Sequence, residues 1–230
     1  MTMNSAPPSV DVIVVNFRTP SLVIACLESL ERERRELPSL RAIIVDNASG
    51  DGSCEQIEWA IQEREWDWVQ LIVSEVNGGY GAGNNIGICW ALSRNDAADY
   101  YWLLNPDTEV RPGAGVVLTR FMETHNSAGV AGSALLERDG KPWSYAFRFP
   151  TVLGELERGA RLGLLSSLLR RWSILRAMGS APTRVDWVSG ASFVIRRQLL
   201  DDGLRFDETY FLYYEETDFC LQALRARWEC

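Results

Sequence analysis

The chain has 230 residues, and 47% of them are apolar, which suffices for the core of one packed domain. Its 31 acidic residues outnumber the 23 basic ones and give a formal net charge of −8. This charge argues against a nucleic-acid-binding protein, which needs a basic surface, so we expect no nucleic-acid partner. Residues 1–9 lack an apolar core, and no run of about 18 apolar residues occurs. We therefore expect neither a signal peptide nor a membrane-spanning helix.

The cysteines and the single histidine limit the kinds of disulfide, metal site and catalytic centre that the chain can form. Five scattered cysteines include no Cys-x-x-Cys pair and fit neither a disulfide framework nor a zinc site. Such usage is typical of a reducing compartment, so we predict a cytoplasmic protein. The single histidine, His125, falls near a predicted helix end, so a hydrolase triad or a histidine-based metal centre would depend on it alone.

The first half of the chain alternates strands and helices. Four apolar runs of strand length lie at 10–17, 41–45, 68–73 and 100–104, and apolar residues at helical spacing separate them. Helical crossovers require parallel pairing with right-handed connections. The sequence therefore predicts an α/β fold with a mostly parallel central sheet flanked by helices.

The pattern changes in the second half. We predict a helix at 113–124, a small-residue strand at 129–135 and a hairpin turn at 139–142, followed by alternating aromatic residues. A strand at 185–195 is interrupted by small residues, and a helix begins near Glu215. Small residues inside a strand indicate close approach of a ligand or of another backbone. This half is predicted to be mixed in topology.

The fourth strand ends in Asn105-Pro106-Asp107. Proline cannot donate to a sheet ladder, so the strand should stop there and place Asp107 at the mouth of the sheet, where open α/β folds bind ligands. A carboxylate in that position suits a divalent cation that carries phosphate oxygens. The alternative is a simple Asx or proline turn.

Two polar loops follow the second and third strands. Residues 46–53 supply carboxylates and hydroxyls that could bind a nucleobase or ribose, or could simply build the turn and cap the next helix. Residues 77–87 are predicted to form a glycine-rich loop before a helix. Such a loop suits a small phosphorylated ligand, because glycines allow close approach and a helix N-terminus attracts negative charge. The glycine spacing and position do not match a dinucleotide fingerprint or a Gly-Lys-Ser/Thr phosphate loop.

An acidic cluster opens the last predicted helix. Glu215, Glu216 and Asp218 follow a run of aromatic and aliphatic residues. Acidic residues are favoured in a first helical turn by the helix dipole, and this alone would explain them. The functional alternative is a general base beside an apolar wall, where burial raises its pKa.

Six motifs, VIVVNFRTP, IIVDNASGDGS, NGGYGAGNNIG, WLLNPDTEV, WVSGASFVIRR and FDETYFLYYEETDFC, occur in the order typical of one family. Over residues 10–228 the chain resembles the family 2 glycosyltransferases, especially their rhamnosyltransferase-like branch. The resemblance implies a single domain with the A-type glycosyltransferase (nucleotide-diphospho-sugar transferase) fold. Residues 10–107 would bind the nucleotide sugar, and residues 108–230 would form the acceptor and catalytic half.

The resemblance also implies an activity and its residues. The family moves a sugar from a nucleoside diphosphate (dTDP, UDP or GDP) to a hydroxyl of a glycan or lipid-linked acceptor, with inversion, and the branch suggests rhamnose and cell-surface polysaccharide synthesis. By motif position, Glu216 would be the general base, with Glu215 the runner-up and Asp218 in the same cluster. Asp107 would hold Mg²⁺ or Mn²⁺, and Trp187 and Gly190 would border the sugar and acceptor. Asp46 would contact the nucleobase or ribose, and the other predicted donor-binding residues are Asn16, Asn47, Asn77, Gly79, Asn84, Asn85 and Asn105.

Three departures from the family pattern stand out. The usual Glu-Asp pair is Glu215-Glu216 here, and an arginine common after it is replaced by Gln222. The family normally continues to a histidine that can ligate the metal, whereas this chain stops at Cys230. We therefore expect either a truncated form or a site completed in another way.

Other classes fit less well. A non-catalytic binder of nucleotide sugars or carbohydrates on the same fold is the main alternative. A sugar-nucleotide pyrophosphorylase would need a basic glycine-rich loop after the first strand, where Arg18 is the only basic residue nearby. An oxidoreductase would need its glycine loop there as well.

Residues 154–179 combine leucines with five arginines. An arginine-rich amphipathic helix suits an anionic lipid surface, so we predict that this segment rests on the inner face of the plasma membrane. A helical lid or a dimer face would explain the same residues.

Overall fold

The apolar runs form the strands of one sheet, and the segments between them form helices. The computed structural model describes residues 7–152, 154, 173–176, 179 and 181–230. In chain order its elements are β1 (Val10–Asn16), α1 (Pro20–Glu33), β2 (Leu40–Asp46), α2 (Ser53–Glu63), β3 (Val69–Val73), α3 (Gly79–Leu92), β4 (Tyr100–Leu104), α4 (Ala114–Thr124), β5 (Val130–Gly132), β6 (Ala146–Phe147), β7 (Trp187–Val188), β8 (Ser192–Arg196), α5 (Arg197–Asp201) and α6 (Glu215–Arg225).

The central sheet has six strands in the order β3-β2-β1-β4-β8-β5. Strands β3, β2, β1 and β4 are mutually parallel, and β8 runs antiparallel between β4 and β5. Strands β6 and β7 form a separate antiparallel pair. The sheet thus contains strands from both halves of the sequence, and the predicted mostly parallel α/β fold with a mixed second half is confirmed.

Both faces of the sheet are covered. In β1, Val12 and Val14 are buried on one face, which packs against α1, α2 and α4, while Ile13 is buried on the other, which packs against α3 and α6. Strands that are buried on both faces have continuous apolar sequences. The apolar runs therefore located these strands well.

Two predicted boundaries were wrong. The strand predicted at 129–135 ends at Gly132, because the chain then leaves the sheet and pairs Leu136 with Pro142 in the predicted hairpin. The glycine-rich segment 77–87 is a loop only at its start, because α3 already begins at Gly79.

The predicted membrane-contact segment lies outside the described residues, apart from 154, 173–176 and 179. In the part of the chain that is described, no helix has the length and apolarity needed to cross a bilayer. All five cysteines are free thiols.

Candidate active site

Three polar residues lie along the carboxyl edge of the sheet. Asn16 ends β1 and Asp46 ends β2, directly opposite each other in the parallel register, and Asn105 follows β4. Parallel strands present their carboxyl ends at the same edge, where α/β folds bind ligands. Asn16, Asp46 and Asn105 thus lie at that edge of the sheet, and their predicted contact with the donor stays a prediction.

Asp46 is only 1% exposed, and its carboxylate is held within the protein. It accepts hydrogen bonds from Asn16 Nδ2 (2.6 Å), Ser49 Oγ (2.6 Å) and the Ser49 N–H (3.0 Å). Burial acts to raise the pKa of Asp46, but the hydrogen bonds from Ser49, Asn16 and the Cys54 thiol outweigh it and leave the pKa below its ordinary value. Asp46 is thus an ionised carboxylate that shapes the β2–α2 loop, and its predicted contact with a nucleobase or ribose stays a prediction.

Asn47 connects this loop to the start of α3. Its Nδ2 donates to Asn77 Oδ1 (2.9 Å) and to the Gly79 carbonyl (3.0 Å), while Asn77 Oδ1 also accepts from the Gly79 N–H (3.0 Å). Asn47 Oδ1 is buried and has no partner among the described residues. It is therefore an acceptor at the edge of the sheet that a bound ligand could satisfy.

The glycines of this segment serve helix packing. A Cβ at Gly83 would lie 2.7 Å from Val15 Cγ1, and one at Gly87 would lie 2.7 Å from Ile13 Cγ2. Side chains at these positions would push α3 away from β1. Gly79 has φ +89°, and the Phe211 backbone fills the space where a side chain would be.

The two adjacent asparagines of α3 are buried and face different partners. Asn85 Oδ1 accepts from the Phe206 N–H (3.0 Å), and its Nδ2 donates to the Phe206 carbonyl and to Glu208 Oε1 (both 2.9 Å). Asn84 donates to the Tyr80 carbonyl (3.0 Å), while its Oδ1 has no partner in the described part of the chain. Asn85 therefore fastens the segment before α6 to α3, and donor binding by either residue stays a prediction.

The acidic cluster begins α6 after two strained residues. Tyr213 and Tyr214 have φ of +69° and +71°. Residues other than glycine rarely adopt this backbone conformation, and it is often found at functional sites. Glu215 is 3% exposed, and burial, reinforced by the charge of Glu216, raises its pKa to about 7. Burial also raises the pKa of Glu216, although its own N–H and that of Gly190 oppose the rise by hydrogen bonding. Both carboxylates keep one buried oxygen that lacks a partner among the described residues.

Asp218 lies on a different side of α6. It accepts a 2.6 Å hydrogen bond from Gln222 Nε2, one turn further along the helix. This contact occupies the glutamine that replaces the family's arginine. The Asp218 carboxylate is thus bonded within α6, and its predicted place in the catalytic cluster stays a prediction.

The β7–β8 loop contacts both α3 and the segment after β4. The Gly190 carbonyl accepts a 2.8 Å hydrogen bond from Tyr80 Oη. The carbonyl of the next residue, Ala191, accepts a 3.0 Å hydrogen bond from Thr108 Oγ1, which lies beyond the end of β4. Trp187 stands farther back, stacked on Phe147 at 4.0 Å between ring centroids, and its role in an acceptor pocket stays a prediction.

Asp107 is exposed in the turn after Pro106, at the carboxyl end of β4. Among the described residues, no group of three carboxylate, histidine or cysteine side chains could hold a metal ion without help from a ligand. A single exposed carboxylate nevertheless suits Mg²⁺ or Mn²⁺, which commonly bind one or two carboxylates together with phosphate oxygens and water.

Sequence reasoning missed two residues of the candidate site. Ser49 completes the Asp46 network, and Tyr80 joins α3 to the β7–β8 loop. Tyr80 carried a signal, because it is a bulky residue placed between two glycines. The role of Ser49 depends on a turn geometry that spacing alone does not reveal.

The sequence profile described as Glycosyl transferase family 2 matches residues 11–202. The chain belongs to this family. The matched range ends before α6, so the assignment of Glu215 and Glu216 depends on the geometry and on the motif resemblance.

This family 2 member is similar to the low-salt glycan biosynthesis hexosyltransferase Agl10 of Haloferax volcanii, with 30% identity over 183 residues, 80% of this chain and 53% of the relative. It is 26% identical over 197 residues to the N-acetylglucosaminyl-diphospho-decaprenol L-rhamnosyltransferase of Mycobacterium tuberculosis, covering 81% of this chain and 61% of the relative. The chain thus spans little more than half the length of these relatives. Both are transferases and give no support to the non-catalytic alternative.

The fold agrees with this membership. The structure superposes on a mannosyltransferase of Pyrobaculum calidifontis, solved in complex with GDP-mannose and Mn²⁺, with a TM-score of 0.67 and 12% sequence identity. The match covers 98% of this chain and 54% of the mannosyltransferase. The predicted A-type glycosyltransferase fold is confirmed.

Proposed function

We propose that this protein is an inverting glycosyltransferase that moves a sugar from a nucleoside diphosphate to a hydroxyl of a glycan or lipid-linked acceptor in cell-surface polysaccharide synthesis. Family membership supports the reaction class. The name of the rhamnosyltransferase relative includes a decaprenol-linked acceptor. That relative supports rhamnose as the sugar and a lipid-linked compound as the acceptor. The donor nucleotide is dTDP, UDP or GDP. The predicted cytoplasmic location and the membrane contact of residues 154–179 belong to the same proposal.

One observation carries the proposal. Two adjacent glutamates open α6, and burial raises the pKa of both. A general base works best when its pKa is close to the operating pH, and burial is the usual means of raising a carboxyl pKa to that range. Acids that only complemented the helix dipole would gain nothing from such burial.

The residues suit an in-line displacement. The acceptor hydroxyl oxygen attacks the anomeric carbon while the Glu216 carboxylate takes the hydroxyl proton. The bond from that carbon to the diphosphate oxygen breaks, and the electron pair leaves with the diphosphate, so the configuration inverts. Asn47 Oδ1, at the sheet edge, supplies an acceptor for the nucleoside part of the donor.

Asp107 is the residue that would hold Mg²⁺ or Mn²⁺ together with the diphosphate. A bound cation of this kind supplies charge stabilisation to the leaving diphosphate. The mannosyltransferase solved with Mn²⁺ supports a divalent ion in this fold. Asp107→Ala should abolish the metal-dependent part of donor binding measured by titration calorimetry, and an unchanged response to Mn²⁺ would contradict this role.

A donor panel tests the proposed function. dTDP-rhamnose, UDP-N-acetylglucosamine and GDP-mannose are added with Mn²⁺, and the rise in unfolding temperature is measured, because a ligand that binds the folded state stabilises it by mass action. The best donor is then incubated with polyprenol-diphosphate-linked acceptors, and transfer of labelled sugar is followed. Binding without transfer to any acceptor or to water would contradict a catalytic role.

A further inference from the structure

The buried face of α1 carries two polar side chains, Ser29 and Glu33, which are 0% and 2% exposed. Residues four apart on a helix lie on the same side, so the two point towards the same neighbour. That neighbour is the segment from the β4–α4 loop (residues 105–113) to the start of α4. The same loop contains Asp107, the predicted metal ligand. Since buried polar groups are normally hydrogen-bonded, the partners of Ser29 and Glu33 indicate what these residues do.

The Ser29 hydroxyl joins α1 to the β4–α4 loop. It donates a 2.6 Å hydrogen bond to the Cys26 carbonyl within α1 and accepts a 3.0 Å hydrogen bond from the Val110 N–H. Both Ser29 and Val110 are buried, so the loss of the hydroxyl would leave a buried N–H without its acceptor. Alanine at this position would keep the helix but could not hold the loop.

Glu33 secures the end of the same loop. The residue before α4 is Gly113, which has no side chain that could cap the helix, and the Glu33 carboxylate takes this role from α1. One of its oxygens accepts from the Gly113 N–H and the other from the Gly115 N–H (2.9 Å). A carboxylate at a helix N-terminus is also favoured by the helix dipole. A Cβ at Gly115 would lie 3.0 Å from Glu33 Oε2, so this glycine makes room for the carboxylate.

The start of the β4–α4 loop is bonded to a different part of the fold. The Thr108 N–H donates to the Asn105 carbonyl (3.0 Å), and Thr108 Oγ1 donates to the Ala191 carbonyl (3.0 Å) in the β7–β8 loop. Asp107 lies in this turn with its side chain exposed. The residue after Asp107 is therefore bonded to the β7–β8 loop, and the third residue after it is bonded to α1.

We propose that Ser29 is a positioning residue whose hydroxyl holds the β4–α4 loop against α1, with Glu33 securing the end of the loop, so that Asp107 is in place before a divalent cation binds. This inference rests on the proposed function, in which Asp107 holds Mg²⁺ or Mn²⁺. Only the fraction of molecules whose loop is in the competent conformation can bind, and the apparent affinity falls with that fraction. Removal of the Ser29 hydroxyl should therefore weaken metal binding although no metal ligand is changed.

Ser29→Ala and Ser93→Ala form a matched pair of variants. Ser93 Oγ also donates to the carbonyl three residues earlier, that of Trp90 (2.7 Å), but it lies exposed at the end of α3. Alanine is the best helix former, so both variants should fold. Hydrogen exchange at the Val110 amide, followed by NMR without metal, measures the contact itself. Its protection should fall by about three- to tenfold in Ser29→Ala, the worth of one net hydrogen bond, and stay at the wild-type value in Ser93→Ala.

The affinity for Mn²⁺ measures the consequence of the contact. Free Mn²⁺ is followed by electron paramagnetic resonance during titration, in the presence of whichever of dTDP, UDP and GDP binds the wild type most tightly. The Kd for Mn²⁺ should rise by about three- to tenfold in Ser29→Ala. It should also rise in Glu33→Gln, whose amide keeps one acceptor oxygen but presents an NH₂ group to the other N–H. A merely structural role would lower the unfolding temperature of Ser29→Ala and leave its Kd for Mn²⁺ at the wild-type value.

Asp107→Ala separates this inference from the proposed function. An unchanged Kd for Mn²⁺ in both Ser29→Ala and Glu33→Gln would overturn the inference, as would an equal rise in Ser93→Ala. If Asp107→Ala weakens Mn²⁺ binding in that case, Asp107 keeps its proposed role and only the positioning by α1 is wrong. If Asp107→Ala binds Mn²⁺ as tightly as the wild type, the metal role of Asp107 in the proposed function is wrong, and the positioning role of Ser29 is wrong with it.

Discussion

The Asn16 side-chain amide donates a 2.6 Å hydrogen bond to Asp46, and this contact joins the carboxyl ends of β1 and β2. Asn16 Oδ1 accepts from both the N–H and the hydroxyl of Thr19, directly before α1. One buried side chain thereby connects two strands, the start of a helix and the β2–α2 loop. The edge of the sheet at which the donor is proposed to bind is built around this pair.

Asp46→Asn should lower the free energy of unfolding by about 1–3 kcal/mol at pH 7, because a buried, charge-assisted hydrogen-bond network loses its charge. The folded-state pKa of Asp46 is lowered, so its contribution is complete above the unfolded pKa of about 4 and disappears as the pH falls through the folded value. Urea unfolding at pH 7 and below pH 4 measures both effects.

The matched control is Asp67→Asn, which changes an exposed carboxylate and should leave stability within about 0.5 kcal/mol of wild type. Equal stability of Asp46→Asn and wild type at pH 7 would contradict the structural role of Asp46. A difference that grew on acidification would contradict the sign of its pKa shift.

Glu215→Gln should have the opposite pH dependence. The folded pKa of Glu215 is raised to about 7 from an ordinary value of 4.5, so wild type loses stability as the pH rises between these values, whereas the glutamine variant does not. Relative to wild type, the variant should gain about 3 kcal/mol between pH 4 and pH 8. Unfolding of both proteins at these two pH values provides the measurement. The exposed Glu58→Gln serves as control, and parallel pH curves for wild type and Glu215→Gln would refute the burial argument.

Gly83→Ala should cost about 1–3 kcal/mol of stability despite the better helix propensity of alanine, because the new methyl group would overlap Val15 on β1. A double-mutant cycle identifies the cause. In a Val15→Ala background the space is open, so the added methyl group should cost much less. If Gly83→Ala costs the same in both backgrounds, α3 does not pack on β1 through this glycine.

Periodicity predicted most of the fold because the strands are buried on both faces. Tyr100–Leu104 was located to the residue, since an apolar run and a proline mark its end. The glycine-rich segment was assigned as a loop because composition does not distinguish glycines that serve φ from glycines that admit a neighbour. Only the three-dimensional contacts of Gly83 and Gly87 reveal helix packing.

The candidate site was predictable to the level of motifs. Glu215 and Glu216 open α6 at the position where the sequence predicted a helix to begin, and their catalytic role stays a prediction. The internal hydrogen bonds of the polar edge were not predictable, because the sequence does not show that Asp46 bonds to Ser49 or that Asn85 bonds to Phe206. These hydrogen-bond partners depend on long-range contacts, which cannot be read from the sequence alone.

The central claim, that Glu216 is the general base of a glycosyl transfer, is tested most directly by the turnover of Glu216→Gln. A positioned base contributes roughly 10²–10⁴-fold in rate, so kcat with the best donor and acceptor should fall by that factor while donor affinity stays within about threefold of wild type. Asp218→Asn, which changes a carboxylate bonded to Gln222 on the helix surface, should retain most activity. If Glu216→Gln retains most of its turnover while Glu215→Gln or Asp218→Asn loses it, the base lies elsewhere in the cluster and the assignment is wrong.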